Sequence, residues 1–174
     1  AGYIGSHVVY ELIDQGYDVS VVDDMSLGMK ENLDPRATFI KGNTLSNADL
    51  DPVLSDGIDA VIHLAAWKAA SESMVDPAKY ANNNLIGTMN LLNACDRHGI
   101  KNFVFSSTAS VYGIPKYIPM DEDHTTAPIN YYGETKLQIE RNLKWFSELR
   151  GIRFAVLRYF NAAGYDVKGR IRGK

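Results

Sequence analysis

The chain has 174 residues, a hydrophobic fraction of 45% and a formal net charge of −3. That length suits one domain with a sizeable core, and mild acidity without a basic stretch argues against a nucleic-acid partner. No apolar run reaches membrane-spanning length and none reads as a secretory leader, so no membrane association is expected.

Apolar residues recur at helical spacing from Tyr3 to Ile13, and Gly16 follows as a stop. Asp18 to Val22 is a short β-branched run ending in Asp23-Asp24, which predicts a buried parallel strand. Thr38 to Lys41 is a weaker strand, and Ala60 to Ala65 a second buried one. A helix is predicted over Ala78 to Arg97, closed by Gly99. It carries the only cysteine, Cys95. One thiol cannot form an internal disulfide, which points to a reducing compartment, the cytoplasm. Phe103 to Ser107 is the next strand, and Pro115, Pro119 and Pro128 mark a long irregular stretch. Tyr132 to Leu149 reads as a helix stopped by Gly151, and Phe154 to Tyr159 as the last strand. The basic run Lys168, Arg170, Arg172, Lys174 reads as a solvated loop. Strands alternating with helices predict an α/β fold, a parallel sheet covered on both faces. Ligands of such sheets sit outside the C-terminal ends of the strands.

Gly2 and Gly5 stand at the entrance to the first helix, where free N–H groups and a close backbone can receive a pyrophosphate. A plain tight turn would use the same residues. Asp23, about 20 residues on, is where a carboxylate accepts from a ribose 2′-hydroxyl and repels a 2′-phosphate, favouring NAD over NADP. Asp24 is a second candidate, with a turn residue or helix cap as its alternative.

Two Tyr-x-x-x-Lys matches occur among 10 tyrosines, Tyr112 with Lys116 and Tyr132 with Lys136. Gly113 and Pro115 interrupt the first, so its side chains need not share a helix face. The second lies among the helix formers Glu134, Leu137, Gln138 and Glu140, where i, i+4 spacing puts both side chains on one face. An ammonium near a phenol lowers its pKa from about 10 toward the range of a useful base. A surface Tyr–Lys pair is the bland alternative. Thr108 ends the strand that precedes this helix, at the edge where active sites of this architecture lie.

The segments AGYIGSH, VVDD, HLAAWKAASESMVDP, NNNLIGT, FVFSSTASVYG, YYGETK and LRYFNAAG, in this order, resemble the extended short-chain dehydrogenase/reductase family. Within it they are most similar to the UDP-hexose 4-epimerases. The resemblance implies a Rossmann-like doubly wound sheet with tightly bound NAD. It also implies interconversion of UDP-galactose and UDP-glucose through a 4-keto sugar. Epimerisation, dehydration or reduction of another nucleotide sugar is the alternative. It assigns Thr108, Tyr132 and Lys136 to catalysis. Gly2, Tyr3, Ile4, Gly5, Asp23, Asp24, Asn43, Thr44, Leu64, Ala65, Ala66, Lys68, Asn83, Tyr132, Lys136 and Phe160 fall to the cofactor. Thr108, Ser110, Tyr132 and Asn161 fall to the substrate. No metal is implied, and the partner is a second copy of the whole protein.

Two departures stand out. Dehydratases of the family carry acids just after the catalytic threonine, whereas Ala109 and Ser110 stand in this chain. The acid usual after the third family strand is replaced by Asn43, which can still hydrogen-bond an adenine but without charge. By the resemblance, residues 1–174 are expected to be an incomplete NAD-binding domain that lacks the family's first strand and most of its substrate region. As a separate piece it is expected to be unstable and inactive, because the missing strand belongs in the middle of the sheet.

Overall fold

A computed structural model describes residues 1–171, so Arg172 and Lys174 of the basic run lie outside the described residues. Helix α1 (Tyr3–Asp14) opens on Gly2 and is followed by Gly16 at φ 90°. Strand β1 (Ser20–Asp23) pairs in parallel with β2 (Thr38–Lys41), with Ser20 opposite Thr38. Helix α2 (Asn47–Leu54) leads to β3 (Ala60–His63). Short helices α3 (Ala70–Ser73) and α4 (Pro77–Tyr80) precede α5 (Gly87–Arg97). Strand β4 (Asn102–Thr108), helix α6 (Tyr131–Arg150) and β5 (Arg153–Tyr159) complete the order. All pairings are parallel, as β3-β4-β5 in one sheet and β1-β2 in another.

Four features differ from the sequence expectations. The predicted helix over 78–97 contains a widened π turn, Ala81–Ile86, between α4 and α5. Within that turn the buried Asn84 side chain turns away to hold the Trp67 backbone, accepting from its N–H and donating to its carbonyl, both at 2.9 Å. Helix α2 escaped prediction because it is only eight residues long and contains Pro52. Its start is nonetheless capped by Ser46, which accepts from the Asp49 N–H. The β1–β2 connection carries a single 3₁₀ turn, Lys30–Asn32, instead of a helix. Finally, β1 and β3 are not fully buried, Ile62 being 37% exposed. The cause is topological: among the described residues no ladder joins the two sheets, so each of these strands is paired on one side.

The main core gathers Leu50 and Leu54 of α2, Leu91, Leu92, Ala94 and Cys95 of α5, Phe103 and Phe105 of β4, and Ile139 and Leu143 of α6. Burial pushes the Cys95 thiol up to about 12, which makes it a packing residue rather than a nucleophile. The basic tail is not simply solvated. Lys168 and Arg170 both pair with Asp14 of α1, at 3.2 and 2.7 Å.

Candidate active site

The site is built where β4 ends against the start of α6. Asn130 caps α6 by accepting from the Gly133 N–H at 2.8 Å. Ser73 Oγ accepts from the Tyr132 N–H at 3.0 Å. Two of the otherwise unpaired first-turn donors are thus fixed. Gly133 is required by contact rather than by conformation. A Cβ there would lie 2.7 Å from the Ser110 carbonyl oxygen, so glycine lets the helix settle on the turn that follows Thr108. Tyr132 and Lys136 then face β4 from consecutive turns.

Thr108 Oγ1 accepts from the Ser110 N–H at 3.1 Å, and its hydroxyl stands near enough to the Tyr132 phenol to favour the phenolate. Lys136 is buried and donates to the Ser106 carbonyl at 2.8 Å. Its Nζ lies 6.0 Å from the Tyr132 ring centre and 4.8 Å from that of Phe105. Desolvation pulls the ammonium down to about 7. The sequence argument that Lys136 lowers the Tyr132 pKa is therefore corrected. Burial pushes Tyr132 up, Thr108 opposes that rise, and the lysine directs its proton to Ser106.

The rival tyrosines are disqualified by geometry. Tyr112 ends a 3₁₀ turn and is followed by Gly113 at φ 70°, so Lys116 does not sit one helical turn beyond it. Tyr80 meets the Tyr132 ring edge-on at 6.4 Å, but its hydroxyl lies 2.8 Å from both the Ala69 carbonyl and Glu72. Burial and the Glu72 carboxylate push it up to about 12.

The expected cofactor residues cluster at the same strand ends. Gly2 is extended, with no side-chain cap on α1, and a Cβ added there would meet no atom within 4 Å. Neither the backbone nor the packing of this chain requires glycine at that point, and the first-turn N–H groups of Tyr3, Ile4 and Gly5 face it. That is the arrangement an anion needs. A Cβ at Gly5 would be 3.7 Å from Leu64, which brings the residues after β3 to the α1 start. Asn84 sets the path of the following loop, Ala65 to Lys68, through Trp67. Asp23 closes β1, accepting from the Ala1 amino group at 2.8 Å and the Met25 N–H at 2.7 Å. A carboxylate has about four acceptor positions, so a ribose hydroxyl can still be received there. These residues fit a dinucleotide with a free 2′-hydroxyl.

Other expected positions are placed differently. Asp24 accepts from the Ser26 N–H, the turn role weighed as its alternative. Asn43 donates to Asp24 at 3.1 Å and accepts from the Leu45 N–H at 2.9 Å. An aspartate at 43 would oppose Asp24 charge to charge, which gives the departure from the family pattern a local reason. Thr44 packs where α5 begins, and a Cβ on Gly87 would be 2.6 Å from its Oγ1. Asn83 donates to Asn84 at 3.0 Å. Phe160 is 58% exposed with its ring 6.4 Å from that of Tyr112, and Asn161 and Lys68 are exposed. The Tyr3 hydroxyl donates to the Gly164 carbonyl at 2.6 Å.

Ser73, Asn84, His63 and Glu140 went unnoticed in the sequence. His63 sits between Phe103 and Phe105 and hydrogen-bonds Thr88 at 2.8 Å; burial holds it neutral, pulled down to about 3. Only Glu140 had a visible signal, as the next i+4 position after Tyr132 and Lys136.

Comparison with known proteins identifies relatives in sequence and in fold. UDP-glucose 4-epimerase of Lactobacillus helveticus is 44% identical over 172 residues, covering 98% of this chain and 52% of that protein. The structure of UDP-glucose 4-epimerase from Brucella ovis in complex with NAD superposes with a TM-score of 0.97 at 40% identity, covering 100% of this chain and 54% of that one. That of UDP-glucose 4-epimerase from Thermotoga maritima with UDP-glucose gives 0.88 at 39% identity, covering 91% and 52%. The chain spans about half the length of the curated relatives it matches. The pattern of the NAD dependent epimerase/dehydratase family covers residues 1–174, and the chain belongs to that family.

Proposed function

We propose that the whole protein carrying this chain is a UDP-hexose 4-epimerase, interconverting UDP-galactose and UDP-glucose with tightly held NAD. The observation that carries this reading is the placing of Thr108, the last residue of β4, beside Tyr132 in the first turn of α6, with Lys136 one turn further along that helix. The names of the relatives support the substrate class, and the neutral residues Ala109 and Ser110 speak against loss of a sugar hydroxyl as water.

Bound NAD supplies a reversible hydride acceptor for C4 of the sugar. The first-turn donors of α1 would hold its pyrophosphate, and Asp23 its adenosine ribose. Lys68, Asn83 and Phe160 would line its nicotinamide half, and Lys136 would donate to its nicotinamide ribose. Thr108 accepts and passes the hydrogen bond of the sugar 4-hydroxyl, orienting it toward Tyr132. Tyr132 can take that proton only as phenolate, which the positive charge of an oxidised nicotinamide in the site would favour against the cost of burial. It takes the proton as C4 becomes a ketone, and gives it back after the sugar has turned. Lys136, close to neutrality at pH 7, can exchange its proton without large cost. Holding the reacting groups in this geometry supplies much of the acceleration. Ser110 and Asn161 flank the sugar.

No helix among the described residues is long and apolar enough to cross a membrane. The single thiol, Cys95, is free and buried, which is consistent with a reducing compartment such as the cytoplasm, and the family resemblance supports a homodimer. The test is conversion of UDP-galactose to UDP-glucose by the whole protein with no NAD added. Conversion is expected; release of a keto sugar or of reduced cofactor as net product would overturn the reading.

A further inference from the structure

One buried polar cluster behind the site has no part in the steps above. Ser107 Oγ donates to Glu140 Oε1 at 2.5 Å. Arg158 Nη2 donates to Glu140 Oε2 at 2.7 Å, and its Nε lies 3.2 Å from Oε1. The Glu140 side chain is 7% exposed and that of Arg158 21%. Ser107 and Arg158 are opposite one another in the β4–β5 register, so both point to the same face, where α6 lies. The Arg158 guanidinium also sits 4.8 Å over the Tyr112 ring.

The spacing gives this cluster its meaning. Tyr132, Lys136 and Glu140 are three successive i, i+4 positions on α6. Ser106, Ser107 and Thr108 are three successive residues of β4. Lys136 grips Ser106 through its carbonyl, and Glu140 grips Ser107 through its hydroxyl. Thr108 ends β4 and Tyr132 stands in the first turn of α6, next to these two contacts. The Arg158 guanidinium lies against the buried Glu140 side chain and compensates its charge. The carboxylate is a stronger acceptor for Ser107 than a neutral group would be. From these contacts we propose that Ser107, Glu140 and Arg158 form a clamp that positions Thr108 against Tyr132 for proton transfer. The inference rests on the epimerase reading for its purpose and on the contacts for its existence.

Other charged and titratable groups around Tyr132 are Lys136 on its own helix, Tyr80 from α4 and, through Tyr80, Glu72 of α3. S107A and S107T alter no charged group, whereas E140Q also leaves the Arg158 guanidinium without its carboxylate partner. The experiment uses the whole protein with its bound cofactor and compares wild type, S107A, S107T and E140Q. The Tyr132 phenol is titrated by ultraviolet difference absorbance against Y132F, which needs no turnover. In S107A the midpoint is expected to rise, because Thr108 no longer holds the phenolate. The same loss of alignment should lower kcat about tenfold to a hundredfold with KM within about twofold. S107T restores the hydroxyl and should recover both readouts. E140Q keeps an acceptor without the charge and should lower kcat in the same direction by less, which preserves the test if S107A does not fold. A clamp that only stabilises would lower the unfolding temperature and leave midpoint and kcat untouched, and that result overturns the proposal. A wild type that titrates and responds to S107A but does not epimerise would instead overturn the epimerase reading alone.

Discussion

The β4–α6–β5 half of the molecule and the α1–β1–β2 half are held together by different forces. The first contributes Phe103, Phe105, Ile139 and Leu143 to a common core and fixes its polar groups by buried bonds such as Lys136 to Ser106. The second contributes no residue to that core. Its fastenings include ion pairs, Arg36 on Asp14 and Asp34, and Arg170 on Asp14. Proton chemistry thus sits on a packed scaffold that can hold sub-ångström geometry. Among the described residues the cofactor-side residues ride on a two-stranded sheet, a unit of marginal stability by itself.

The largest expected effect lies in the packed half. Tyr132→Phe in the whole protein should lower kcat by about 10²–10⁴-fold, the range for a lost acid/base group, while bound NAD is retained. Simultaneous loss of the cofactor would mean that the two halves are not separable in this way. Next, Leu143→Ala, at a fully buried position, should cost about 2–5 kcal/mol in denaturant unfolding. Val22→Ala on the half-buried β1 should cost about 1 kcal/mol, and equal costs would erase the contrast.

Lys136 gives a pH test of the same scaffold. Its folded pKa of about 7 lies below that of an unfolded lysine, so between the two the unfolded chain binds more protons. The burial cost is complete below about pH 7 and is relieved as pH rises. Lys136→Met should therefore unfold at higher denaturant than wild type at pH 7, with an advantage that shrinks toward pH 10. A constant gap would contradict burial of the charged amine. The smallest effect is expected at Asp14, whose carboxyl is held well below its usual range by Arg36, Arg170 and Lys168. Asp14→Asn should lower the unfolding temperature slightly at low salt and not at all near 1 M, where the screening length is about 3 Å.

Much of the site was legible from local rules. Proline and glycine removed Tyr112 as a helical tyrosine, and i, i+4 spacing selected Tyr132 with Lys136. What could not be read was tertiary. The direction of the Lys136 ammonium depends on which carbonyl β4 presents, and Ser106 supplies it. The π turn depends on Asn84 meeting Trp67 across 17 positions of sequence. Arg158 and Glu140 become partners only once β5 is in register with β4. Helix α2 was hidden because Pro52 signals a stop locally, while Leu50 and Leu54 hold their helix by packing into the core.

The most direct measurement of the central claim is the fate of C4 when the whole protein equilibrates UDP-galactose in deuterium oxide. If Tyr132 handles only the hydroxyl proton while hydride leaves and returns within the site, the UDP-glucose formed carries no deuterium at C4. Deuterium at C4 would mean that a solvent-exchangeable carbon acid is the intermediate, and it would contradict the roles assigned to Thr108, Tyr132 and Lys136.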